Sequence, residues 1–137
     1  MQDLSQQLDN LPDNVIEEIK RDAESGDPEA QWLLGDYYLR KKTNPEYQKA
    51  LEWSLKSAKN GNANAMLNLA SIYENGVGIK ESQETAIMFL IIAEQFDIEN
   101  DGSVERLKGH YLKLVGEDEF NRISVLAEKW KKDNELK

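Results

Sequence analysis

Apolar residues recur along this chain at the spacing of α-helices. Ala30, Leu34 and Tyr38 lie four positions apart, so they share one face of a helix. The same kind of spacing continues along the chain and predicts an all-α protein with seven helices. The predicted ranges are 13–24, 28–40, 45–60, 63–75, 82–96, 103–115 and 118–132.

The apolar pattern also repeats itself at a longer period. Four positions of one segment recur 35 residues later: Gly26, Ala30, Leu34 and Tyr38 return as Gly61, Ala65, Leu69 and Tyr73. Two positions of the next helix recur 36 residues later: Ala50 and Trp53 return as Ala86 and Phe89. The slip of one residue falls where a turn is expected, and turns tolerate insertions. A period of this length predicts stacked helix pairs, which form a short α/α solenoid.

Residues that start and stop helices agree with this period. The segment 27–29 reads Asp-Pro-Glu, which is an N-cap, a proline in the first turn and an acid that suits the helix dipole. The segment 44–46 reads Asn-Pro-Glu and predicts the same arrangement for the next helix. Gly61 and Gly76 stand where helices end, at positions that favour positive φ.

The two ends of the chain depart from the repeat. The first helix is apolar on one side only and is interpreted as an N-terminal cap. The last pair keeps the apolar spacing loosely, with Val104, Leu107 and Tyr111 on one helix and Phe120, Ile123, Ala127 and Trp130 on the other. Residues 1–10 and the tail 131–137 are expected to be frayed.

Composition narrows the class of protein. With 137 residues, 39% hydrophobic and 31% charged, the chain is expected to be one soluble globular domain. It has no cysteine, which excludes disulfides and thiolate metal sites, and no secretory signal is visible at its start. The longest apolar run, 86–93, is far shorter than the ~20 residues that span a bilayer. These features predict a cytoplasmic protein without a membrane partner.

The charge balance bears on the partner. The net charge of −9 repels nucleic acid and anionic lipid, and it attracts basic partners. A simpler interpretation is that the charge keeps the protein soluble.

Candidate chemistry is sparse. His110 is the one histidine, so no histidine-based metal cluster can form, and a surface position explains it better than catalysis. Gly76 and Gly78 lack the third glycine and the preceding strand of a nucleotide fingerprint. The segment 97–102 resembles the start of a calcium loop, but Lys108 occupies the place of the essential glutamate, which favours a plain acidic loop. No catalytic residue, metal or cofactor is therefore predicted.

The segment 58–79 reads AKNGNANAMLNLASIYENGVGI and resembles a Sel-one-like repeat, a relative of the tetratricopeptide repeat. Its distinctive part is the turn formed by Tyr73, Gly76 and Gly78. The first unit has Leu-Arg-Lys-Lys at 39–42 in place of that glycine turn, and the third unit keeps only the apolar skeleton. The chain divides into a cap (1–24), repeat 1 (25–57), repeat 2 (58–93), a degenerate repeat 3 that closes the solenoid (94–132) and a tail (133–137).

The resemblance implies a right-handed superhelix of about three antiparallel helix pairs behind the cap. It also implies that the first helix of each pair lines a concave groove. The residues that this arrangement would place in the groove are Glu29, Trp32, Asp36, Leu39 and Arg40 in the first unit, with Asn64, Leu67, Ser71, Glu74 and Asn75 in the second. Trp32 is a tryptophan among charged residues, which is typical of an interface hot spot. The alternative is that Trp32 packs against the cap helix.

Two functions follow as expectations. The first is a non-enzymatic adaptor that binds a protein or peptide in the groove. The alternative is a bacterial immunity protein that neutralises a basic toxin by direct binding. Both require a protein partner and neither requires a cofactor, while the sequence leaves a monomer and a weak dimer equally open.

Overall fold

The computed structural model describes residues 12–41, 44–96 and 102–136, apart from the side chains of 103 and 104. These residues form seven α-helices and no strand. The helices are α1 (Asp13–Glu24), α2 (Pro28–Arg40), α3 (Tyr47–Lys59), α4 (Ala63–Asn75), α5 (Gln83–Phe96), α6 (Ser103–Val115) and α7 (Glu117–Asp133). The predicted all-α class is confirmed, and every helix boundary lies within two residues of its predicted position.

The first helices of the first two pairs, α2 and α4, begin with a side-chain cap. Asp27 accepts a hydrogen bond from the backbone N–H of Glu29 at 3.1 Å, and Pro28 opens α2, as predicted. Asn62 lies 35 positions after Asp27 and accepts from the backbone N–H of Ala65 at 2.9 Å. The two units therefore begin their first helices with the same device, although one cap is an acid and the other an amide.

The predicted cap at 44–46 is wrong. Helix α3 begins at Tyr47, and Asn44 adopts a positive φ of 53° before it. Glu46 makes no side-chain cap, because its carboxylate pairs with Lys41 at 3.1 Å and its backbone N–H donates to the carbonyl of Tyr38 at 3.0 Å. The segment therefore ties the start of α3 to the end of α2 and adds no turn to α3.

The helices pair antiparallel, and the two pairs close in the same way. The backbone N–H of Glu46, at the start of α3, donates to the carbonyl of Tyr38 near the end of α2. The backbone N–H of Ser82, before α5, donates to the carbonyl of Tyr73 near the end of α4 at 2.8 Å. The tyrosines occupy equivalent repeat positions, so this hydrogen bond survives the loss of the glycine turn in the first unit.

Two glycines are required by close approach. A Cβ at Gly35 of α2 would lie 2.7 Å from Oγ of Ser54 on α3, so these two helices contact without a side chain between them. A Cβ at Gly78 would lie 2.4 Å from the Cβ of Tyr47, and Gly78 has a positive φ of 70°. The glycine turn after α4 therefore seats against the start of α3 and joins the two units.

The core has two parts. The smaller part lies between α1, α2 and α3 and is formed by Ala23, Ala30, Leu34, Tyr38 and Ala50. The larger part runs from α3 to α7 and is centred on α4 and α5, where Met66, Leu69, Ile87, Leu90 and Ile92 are nearly or fully buried. Burial of this apolar surface is the main force that holds the stack together.

The last pair differs from its predicted pattern at one position. Phe120, Ile123 and Ala127 of α7 are buried and Tyr111 of α6 is 4% exposed, but Leu107 is 44% exposed. Among the described residues, α6 packs mainly against α5 and α7, and these helices leave much of the Leu107 side chain uncovered. The side chain of Val104 lies outside the described residues.

The C-terminal end also departs from the prediction of a frayed tail. Helix α7 continues through Asp133, and the backbone N–H of Leu136 donates to the carbonyl of Lys131 at 2.8 Å. Leu136 is half-buried and packs against the larger core. The predicted fraying of residues 1–10 lies outside the described residues.

Candidate functional site

One surface combines side chains of α2 and α4, and we call it the α2–α4 face. It carries Trp32, Asp36 and Arg40 on α2 and Leu67, Asn68 and Ser71 on α4. The three α2 residues are four positions apart and therefore lie in one row along the helix. A hydrogen bond of 3.2 Å from the side-chain amide of Asn68 to the carboxylate of Asp36 joins the two helices across this face.

Trp32 is half-buried and packs against the larger core. This position does not decide between the two expectations for it, which are an interface residue in the groove and packing against the cap helix. The indole N–H is buried and has no hydrogen-bond partner among the described residues. An unsatisfied buried donor is uncommon in folded proteins.

Asp36 is more deeply placed than a groove residue was expected to be, since it is 2% exposed. Its Oδ1 accepts from Nε of Arg40 at 2.8 Å and from the amide of Asn68. Its Oδ2 is buried and has no partner among the described residues. The carboxylate therefore carries its charge into the protein with only one oxygen satisfied.

The other predicted residues of α2 divide into two kinds. Glu29 is exposed, and its backbone N–H takes part in the cap that opens α2. Leu39 is half-buried and packs against the smaller core, so only part of its side chain reaches the surface. Arg40 is 54% exposed at the end of the row.

The residues predicted on α4 form the polar side of the face. Leu67 is half-buried and packs against the larger core, while Asn64 and Ser71 are exposed. Asn75 donates its side-chain amide to the carbonyl of Ser71 at 3.0 Å, so part of this surface is satisfied within its own helix. Asn68, which sequence reasoning missed, lies four positions after Asn64, and that spacing of two asparagines is the signal that could have found it.

Glu74 connects α4 to α6. Burial and the neighbouring Glu74 carboxylate raise the pKa of Tyr111 well above the ordinary value of a phenol. Glu74 itself is exposed. Its proximity to Tyr111 places α6 beside α4 at the end of the α2–α4 face, so the third pair borders the predicted site.

A concavity with a volume of about 350 Å³ lies between α5 and α7. Met88, Leu126 and Trp130 form its apolar part, and Glu84 and Lys129 stand among its charged lining. It was not predicted, because its residues come from helices that the repeat pattern assigns to the opposite side of each pair.

The described residues offer no arrangement suited to metal chemistry. Among them, no group of three or more His, Cys, Asp and Glu side chains could hold a metal ion. His110 is exposed and lies edge-on to the ring of Tyr111 at 5.3 Å. The loop that resembles a calcium site includes residues 97–101, which lie outside the described part of the chain. Within the described part, no helix is both long enough and apolar enough to span a membrane.

A family model described as the Sel1 repeat matches two segments of the chain, residues 28–62 and 63–94. The chain therefore carries two Sel1 repeats, which together cover residues 28–94. Each matched segment begins with the first residue of a capped helix, Pro28 of α2 and Ala63 of α4. The family therefore accounts for the four helices whose caps and closing hydrogen bonds repeat, and the predicted resemblance is confirmed.

Sel1 repeats are generally protein–protein interaction modules, and they typically form non-enzymatic scaffolds. The expected role in protein binding agrees with what is typical of this repeat. Comparison with curated proteins and with solved structures finds no significant match. The right-handed superhelix, the division into 25–57, 58–93 and 94–132, and the roles of the individual site residues stay predictions.

Proposed function

We propose that this Sel1-repeat protein is an adaptor that docks a partner protein on the α2–α4 face. The observation that carries the proposal is the pair of unpartnered buried polar atoms, Nε1 of Trp32 and Oδ2 of Asp36, one turn apart on α2. A buried donor and a buried acceptor without partners cost free energy in the unbound protein. A partner that satisfies both would recover that cost on binding.

The surroundings support this choice of surface. Interface hot spots are typically aromatic or charged residues at the centre of a patch, surrounded by residues that exclude water and contribute little energy themselves. Trp32 and Asp36 have the first character, and Arg40, Asn64 and Ser71 are exposed polar residues of α2 and α4. The proposal assigns the binding energy to the first two residues and the solvent-excluding rim to the other three.

The charge of the chain favours a basic partner. A net charge of −9 accelerates association with a positively charged protein, and salt screens that effect. The immunity hypothesis is the special case in which this partner is a basic toxin. An association rate that falls steeply with salt supports both, and the identity of the captured partner separates them. The cytoplasmic location predicted from the sequence is tested by fractionation of the same cells.

The test begins with capture of the partner from native lysate and its identification by mass spectrometry. Calorimetric titration of the purified pair then compares Trp32→Phe and Asp36→Asn with the matched variant Trp53→Phe. Trp32→Phe keeps an aromatic ring and removes the N–H, so we expect a loss of about 1 kcal/mol in binding. Asp36→Asn is expected to cost more, about 2 kcal/mol, because a charge-assisted interaction is lost.

Trp53 is half-buried on α3 beside the smaller core, and its replacement by Phe controls for the loss of an indole elsewhere. Circular dichroism verifies that each variant folds. Unchanged affinity in both Trp32→Phe and Asp36→Asn would place the docking surface elsewhere and overturn the proposal.

A further inference from the structure

The Asp36 carboxylate uses only part of its capacity to accept hydrogen bonds. A carboxylate has two oxygens with about four acceptor positions, and buried ones are normally filled. Asp36 is 2% exposed, yet both of its hydrogen bonds, from Arg40 and from Asn68, go to Oδ1. Within the described part of the chain Oδ2 receives none. The site therefore has an acceptor position left for one more donor.

The ion pair between Asp36 and Arg40 involves only one of the two carboxylate oxygens. A guanidinium pairs most strongly with a carboxylate through two parallel N–H···O bonds, one to each oxygen. Arg40 donates through Nε to a single oxygen at 2.8 Å, and 54% of its side chain is exposed. Arg40 is the exposed member of this pair, so its side chain can move into solvent when a donor that reaches both oxygens takes its place.

The neighbour of Asp36 is also suited to a cation. Trp32 precedes Asp36 by one helical turn, and an indole ring attracts a guanidinium against its face. Elsewhere this chain already uses such a contact, since Nζ of Lys56 lies 4.6 Å from the ring centre of Trp53. Among the described residues no cation stands over Trp32 in this way.

We infer that Asp36 and Trp32 form a receptor for an arginine side chain of the partner, for which Arg40 substitutes in the unbound protein. Because Oδ2 is buried, the Arg40 side chain would first move aside, and the incoming guanidinium would then donate to Oδ2 while its plane lies near the indole. Arginine is favoured over lysine because its planar fork can reach a carboxylate and stack on a ring at once. This inference rests on the proposed docking at the α2–α4 face and names the group that is recognised there.

A small probe tests the receptor without the partner. The full chain labelled with ¹⁵N has three tryptophans, Trp32, Trp53 and Trp130, so its spectrum has three indole N–H signals, and Trp32→Phe assigns one of them. N-ethylguanidinium chloride is titrated below denaturing concentrations, against sodium chloride at equal ionic strength and against ethylammonium chloride as a lysine mimic. We expect a saturable shift of the Trp32 signal with the guanidinium only.

Three variants sharpen the result. Asp36→Asn should lower the affinity for ethylguanidinium about tenfold or more, since a charge-assisted hydrogen bond is lost. Arg40→Ala should raise that affinity, because the competing guanidinium is gone. Glu52→Gln removes one negative charge from an exposed position of α3 and should leave the affinity unchanged. If Asp36→Asn does not fold, Arg40→Ala decides the matter alone.

Each contrary outcome has a definite meaning. A shift that sodium chloride reproduces, or an affinity that Arg40→Ala leaves unchanged or lowers, overturns the receptor. Equal binding of ethylammonium overturns the assignment to arginine. If Trp32→Phe weakens binding of the partner protein while ethylguanidinium does not bind, the docking face stands and the arginine receptor fails. If neither has an effect, both proposals fail.

Discussion

The second and third helix pairs bury their side chains to very different extents. In α5 of the second pair, seven residues are buried: Ala86, Ile87, Phe89, Leu90, Ile91, Ile92 and Ala93. In α6 of the third pair, Tyr111 is the one buried residue among the side chains that the structure describes. Helix α5 packs against α4, α6 and α7, whereas α6 packs mainly against α5 and α7. Apolar spacing therefore yields burial only where neighbouring helices cover the face that it creates.

The third pair contacts α5 partly through ion pairs on the surface. Lys108 of α6 pairs with Glu94 of α5 at 3.0 Å, and Arg122 of α7 pairs with Glu84 of α5 at 2.9 Å. All four side chains are more than a quarter exposed, and ion pairs of that kind are weak. We therefore expect α6 to open locally at a lower free energy than α4 and α5.

The largest effect is expected from truncating one leucine in each of these two pairs. Leu69 of α4 is fully buried and Leu107 of α6 is 44% exposed. Leu69→Ala should lower the free energy of unfolding by about 3 kcal/mol through lost transfer energy and a cavity. Leu107→Ala should change it by less than about 1 kcal/mol. Urea unfolding followed by circular dichroism measures both, and similar losses would remove the contrast between the pairs.

Replacing two helical glycines by alanine should change the stability by intermediate amounts, with opposite signs at the two positions. A Cβ at Gly35 would approach Oγ of Ser54 at 2.7 Å and the backbone of α3 at 3.1 Å, so Gly35→Ala should destabilise the protein by about 1–3 kcal/mol. A Cβ at Gly109 of α6 meets nothing within 4 Å. Gly109→Ala should therefore stabilise it by about 0.5–1 kcal/mol through helix propensity. Thermal melts compare the two, and a loss of stability in Gly109→Ala would show that α6 is packed more closely than described.

The smallest effect concerns the charges that hold α6. The Glu94 carboxylate raises the pKa of Glu105, and the Glu105 and Lys108 side chains together lower the pKa of Glu94 despite its partial burial. A raised pKa in the folded state means that Glu105 contributes stability in acid, and that this contribution is lost as pH rises through the raised value.

Glu105→Gln keeps the protonated form's hydrogen-bonding capacity at every pH. It should therefore stabilise the protein slightly at neutral pH and have little effect near pH 4, about the ordinary pKa of a glutamate. Urea unfolding at the two pH values measures the difference. A larger gain in acid than at neutral pH would contradict the proposed pairing of the two carboxyl groups.

The sequence predicted the helices well because their signals are local. Period, caps and glycines act within a few residues, and Asp27, Gly61 and Gly76 take the conformations that such signals imply. The cap predicted at 44–46 was wrong because Glu46 contacts the end of α2 instead of capping α3, and the sequence pattern does not show that contact. Leu107 misled because burial depends on which helices lie opposite, and apolar spacing alone does not contain that information.

The sequence predicted which positions of α2 and α4 line the candidate site, but it did not predict their burial or their hydrogen bonds. The repeat places Trp32 and Leu67 at equivalent positions 35 residues apart, and likewise Asp36 and Ser71. The burial of Asp36 and its hydrogen bond to Asn68 arise from the distance between α2 and α4. That distance is set by the packing of the whole stack, so no local pattern reveals it.

Position-specific photo-crosslinking in native cells tests the docking face most directly. A photoreactive phenylalanine derivative is placed at Ser71 on the α2–α4 face, at Lys129 in the α5–α7 concavity, or at Val125, which is 69% exposed on α7. We predict one covalent adduct of defined mass from position 71, which Asp36→Asn abolishes, and none from positions 125 and 129. The same adduct from position 129 with none from position 71 would contradict the account.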